Sequence, residues 1–157
     1  MGGQWDGASQ REAHPVQYLN PTIYEEEPVF RIAIGIFVLL HGLVHFWYVV
    51  LSQRLVRFQP EMGWTGESWV LSGPLSESVA RSLATGLYAL AALAFVVSAA
   101  GFLGRSDWWR PAMSISAVFS AITVLMYWDG QLGMLVEKGL AGLLINVGIV
   151  AALFLAA

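Results

Sequence analysis

The chain has 157 residues, 57% of them hydrophobic and only 12% charged, with a net charge of −3. An average soluble domain carries about 25% charged residues, and one domain of this length cannot hide so much apolar surface behind a water-facing shell, so lipid must be part of its solvent. The acidic balance provides no basic footprint for nucleic acid. The absence of cysteine excludes disulfides, thiolate metal sites, covalent haem attachment and iron–sulfur ligation.

Residues 1–28 are polar, broken by Pro15, Pro21 and Pro28, and end in the acidic run Glu25-Glu26-Glu27. They read as an extended tail, without the basic start and apolar core of a cleaved signal peptide. From Val29 to Leu51 the chain runs 23 predominantly apolar residues, enough to cross a hydrocarbon core of about 30 Å. A second span is expected over 77–103, with Ser76 as N-cap and Gly104 as stop. A third runs over 110–128, Pro111 lying in its first turn where a missing N–H costs little. A fourth runs over 135–157. Each must be helical, because lipid offers no partner to an unpaired backbone.

The 2–3 and 3–4 connections are short and force antiparallel neighbours. The expected architecture is therefore an all-α, multi-pass membrane protein: an up-down bundle of four transmembrane helices behind an extended N-terminal tail. The long 1–2 connection, with Trp64 and Trp69, suits a segment at headgroup level. If side A is the face bearing the N-terminus, it carries Arg11, Arg31, Arg105 and Arg110. Side B carries Arg54, Arg57, Arg81 and Lys138. The tie leaves sidedness open under the positive-inside rule. Small residues recur at packing intervals, as in Gly35 and Gly42, Ala84 and Ala91, Ser116 and Ser120, and Gly139 and Gly142.

The most informative pattern is a polar stripe on the first span. Arg31, His41, His45, Tyr48 and Ser52 fall within roughly 100° of one another around a helix. Polar groups in a span are costly and turn to the bundle interior, so this face points inward. At a rise of about 1.5 Å per residue, Asn146 shares a level with His41, while Trp128, Asp129 and Glu137 lie nearer His45 towards side B. The i, i+4 spacing lets His41 and His45 share a metal, with Asp129 or Glu137 as a carboxylate ligand. An apolar slot beside His45, Tyr48, Trp47 and Trp128 suits a quinone, and one histidine, paired with a methionine or another subunit, suits a tetrapyrrole. Alternatively, His41 and His45 bond Asn146, serines or backbone carbonyls and hold the helices in register. No nucleophile triad, phosphate loop or catalytic carboxylate pair is present, and no catalytic residue is assigned.

The stretch from Arg31 through Gly35 to His41-Gly42-Leu43-Val44-His45 resembles the first helix of DoxX-like membrane proteins. Trp128-Asp129-Gly130, followed by Gly139-Leu140-Ala141-Gly142 and Asn146, is similar to that group's last helix. The resemblance covers residues 29–157. It implies a four-helix protein of prokaryotic inner membranes, with members linked to quinone-reactive oxidoreductases and redox-stress complexes. The leading expectation is an accessory or structural subunit of a larger membrane complex, respiratory or photosynthetic, in contact with lipid and with other membrane subunits. The alternative is a quinone-linked oxidoreductase or ligand-binding module built on His41, His45, Tyr48, Trp128 and Asn146.

Overall fold

The computed structural model describes residues 1–2, 22–57, 59, 62–64 and 66–155, with backbone alone for 22–27. The chain is an all-α bundle. Helix α1 spans Thr22–Ser52, α2 Glu77–Leu103 and α3 Trp109–Met126; a helical segment kinked at Gly139, Val136–Leu140, leads into α4, Ala141–Leu155. Among the described residues, four helices are long and apolar enough to cross a membrane, over Pro28–Ser52, Glu77–Leu103, Trp109–Met126 and Val136–Leu155. This is a multi-pass integral membrane protein.

These bounds agree with the sequence reading to within two residues. The start of α1 differs, because residues 22–28, expected in the extended tail, form its first two turns. Acidic residues are favourable near a helix N-terminus, which suits the Glu25–Glu27 run. Pro28 inside the helix forfeits a single N–H bond. Residues 3–21, the rest of the expected tail, lie outside the described residues.

Packing follows chain order: α1 lies on α2, α2 on α3, and α3 on α4. The α1–α2 seam is close because Gly42 faces Phe95, and a Cβ there would come within 2.5 Å of the Phe95 Cβ. Alanines dominate the buried face of α2, at Ala80, Ala84, Ala91, Ala92 and Ala99. Without a hydrophobic force between helices in lipid, such close approach supplies the dispersion contact that holds spans together. One apolar cluster, Val38, Phe95, Ala99, Met113 and Ala117, fills the side-A half. A second, containing Tyr48, Leu51, Trp64, Tyr88, Val124 and Tyr127, fills the side-B half.

The 1–2 connection does more than lie at headgroup level. Trp64 is 5% exposed and packs edge-on against Tyr127 at 5.4 Å. The next turn caps α3: Ser68 Oγ donates to the Met126 carbonyl, Trp69 Nε1 to the Leu125 carbonyl, and Trp69 N to the Trp128 carbonyl. The last carbonyls of a helix have no partner within it. Residues 68 and 69 supply them.

Candidate functional site

The inward stripe is present. His41, His45, Tyr48 and Ser52 are all buried, and Arg31 is half-buried with its guanidinium 5.8 Å from the Phe102 ring centre. His41 and His45 lie between the two apolar clusters, against Phe95 and Tyr88. There they meet two polar residues from other helices. His41 Nε2 is 2.9 Å from Asn146 Oδ1, Asn146 Nδ2 is 2.8 Å from Ser120 Oγ, and Ser120 Oγ is 2.6 Å from His45 Nε2. His45 Nδ1 lies 3.1 and 3.2 Å from the carbonyls of His41 and Gly42.

The proton positions follow from the two carbonyls, which can only accept. A carbonyl has no proton to give, so His45 Nδ1 donates. In a neutral imidazole the other nitrogen then accepts, and Ser120 must donate to His45 Nε2. The Ser120 oxygen accepts from the Asn146 amide NH₂, whose carbonyl oxygen accepts from His41 Nε2–H. Every bond in the chain runs one way, from His41 on α1 through Asn146 on α4 and Ser120 on α3 back to His45 on α1. Three helices are joined, and the buried Asn146 side chain, 1% exposed, has both of its polar atoms paired.

The other residues singled out in the sequence lie elsewhere. Tyr48 and Trp128 border a chamber at the side-B end, lined also by Gly63, Tyr88, Asp129 and Lys138. Its volume is about 10 Å³, room for one water. Asp129 pairs with Lys138 at 2.7 Å. Burial alone would raise the Asp129 carboxyl, but the Lys138 ammonium and the Gln131 backbone N–H together hold it below its ordinary value of 3.8. Glu137 is exposed, and its backbone carbonyl accepts from Tyr48 Oη at 3.4 Å. The structure therefore joins His41, His45 and Asn146 but does not bring Asp129 or Glu137 to them. Among the described residues no group of three or more His, Cys, Asp or Glu stands close enough to hold a metal ion.

Trp47 is exposed and donates to the Met62 carbonyl. Between α3 and α4 an apolar cleft of about 160 Å³ runs past Leu125, Trp128, Leu135 and Leu143. No family model, curated protein or solved structure matches this chain.

Ser120 went unrecognised in the sequence as a site residue, being one small residue in a packing series. Its hydroxyl on the α3 face that meets α4 was the available signal. Tyr88, a tyrosine midway along the second span, was a second.

Proposed function

We propose that this protein is a non-catalytic structural subunit of a larger membrane assembly. The observation that supports this most is the closure of the polar cluster at the centre of the bundle. The two imidazoles, the amide and the Ser120 hydroxyl bond one another, and the chamber beside Tyr48 has room for one water. On this reading His41 and His45 set helix register. The outer helix α4 supplies a contact surface: 11% of its most apolar stretch is buried within the chain, against 33–39% for the other spans. The DoxX-like resemblance supports a redox role for the assembly, respiratory or photosynthetic, at a prokaryotic inner membrane. Solubilisation in a mild detergent, followed by affinity purification of the tagged chain, tests it. Membrane subunits in fixed stoichiometry are expected. A stable lone monomer from native membranes refutes it.

A second reading is a quinone-binding module, favoured by the apolar cleft between α3 and α4 with Trp128 and Lys138 on its wall. It predicts that quinone co-purifies and that Trp128→Ala releases it while the bundle stays folded.

A further inference from the structure

At the side-B end of α1 and α2, three guanidiniums border one cleft. Arg54, Arg57 and Arg81 line it together with Leu51, Leu55 and Val56, around a volume of about 510 Å³. Among the described residues, Glu77 bonds Arg54 and, at 2.9 Å, Arg81, and the residues that line the cleft include the three arginines and no carboxylate. Arg81 is built into the fold, donating to the Leu51 carbonyl at 3.2 Å and lying over Trp64. Arg57 is exposed and enters no ion pair among the described residues.

The level of the cleft identifies its ligand. Leu51 and Ser52 close the first span and Glu77 opens the second, so the arginines stand where hydrocarbon gives way to headgroups. The lining combines cationic side chains, the arginines, with apolar ones, Leu51, Leu55 and Val56, and Leu55 is 70% exposed. A ligand matching both parts carries a negative phosphate and an acyl chain. We propose that this cleft binds an anionic phospholipid, with Arg57 and Arg54 contacting the phosphate and Leu55 lying along the acyl chain. Inorganic phosphate shares the charge but has nothing for the apolar part. Basic pockets at helix ends bind anionic headgroups by this combination. The inference does not depend on the subunit reading.

Native mass spectrometry of the full chain, released from nanodiscs of equal phosphatidylglycerol and phosphatidylcholine, tests it. The wild type should retain phosphatidylglycerol in preference. Arg57→Gln and Arg54→Gln should each lower that retention about five-fold, the equivalent of about 1 kcal/mol per arginine near the surface, with phosphatidylcholine unchanged. Equal retention of the two lipids by the wild type overturns the proposal. So does undiminished phosphatidylglycerol on Arg57→Gln, whose exposed side chain leaves the fold intact. Millimolar inorganic phosphate should not displace the lipid; displacement overturns the lipid assignment in favour of a free anion.

Discussion

Asn146 is the residue on which the interior chemistry turns, because it alone joins His41 to Ser120. A single interhelical hydrogen bond in a membrane contributes about 0.6 kcal/mol on average and up to about 1.7, while leaving a buried donor unpaired costs about 1–3 kcal/mol. Asn146→Ala orphans the His41 N–H and removes the donor to Ser120. It should therefore cost about 1–3 kcal/mol in reversible unfolding from mixed micelles. A double-mutant cycle between His41 and Asn146 should return a coupling of about 1 kcal/mol; additivity would show that the two do not interact. The histidine stripe and the depth match with Asn146 were legible because period and rise are properties of any helix. Ser120 was not, because a serine that hydrogen-bonds across an interface and one that merely lets helices approach have the same letter and spacing.

Among the elements, the turn into α4 is the most constrained. Gly139 has φ +104, and a Cβ there would lie 2.9 Å from Val124 Cγ1 and 3.0 Å from Tyr48 Oη. Gly139→Ala combines left-handed strain of about 1–3 kcal/mol with displacement of Tyr48, and should lower the melting temperature clearly. Gly148→Ala, where nothing lies within 4 Å of the added carbon, should be neutral or slightly stabilising. Similar loss at both positions would refute this account of the turn. The Asp129–Lys138 pair ties the end of α3 to the same turn. Its carboxyl is held below 3.8, so the stabilisation it confers is present above that value and fades as pH falls through the lower folded-state value. Thermal melts should show the difference between wild type and Asp129→Asn shrinking on acidification through that window, and a constant difference would sink the claim. The span limits were readable from hydropathy alone. The inward fold of Trp64 was not, since an aromatic in a proline-rich connection suits the headgroup layer equally well. Nor was the kink within residues 136–140, where Gly139 takes a positive, non-helical φ, a conformation that the letter glycine permits without requiring.

For the molecule as a whole, short turns made the up-down order legible, whereas the unequal burial of the spans depends on which faces meet and needed the structure. Each span packs on the one before it, and α4 remains the outermost. Truncation before residue 136 should leave α1–α3 able to insert, but with His41 and Ser120 lacking their partner. Such a fragment should be degraded quickly in cells. The added substitution His41→Leu should prolong its half-life, and equal half-lives would refute the idea.

The hydrogen bond between His41 and Asn146 spans 105 residues of sequence, and this sets a timetable for biosynthesis. Until the fourth span is made, the first three hold an imidazole proton and a hydroxyl oxygen unanswered. One amide answers both, so a chain that has the fourth span in place differs in its interior from one that lacks it.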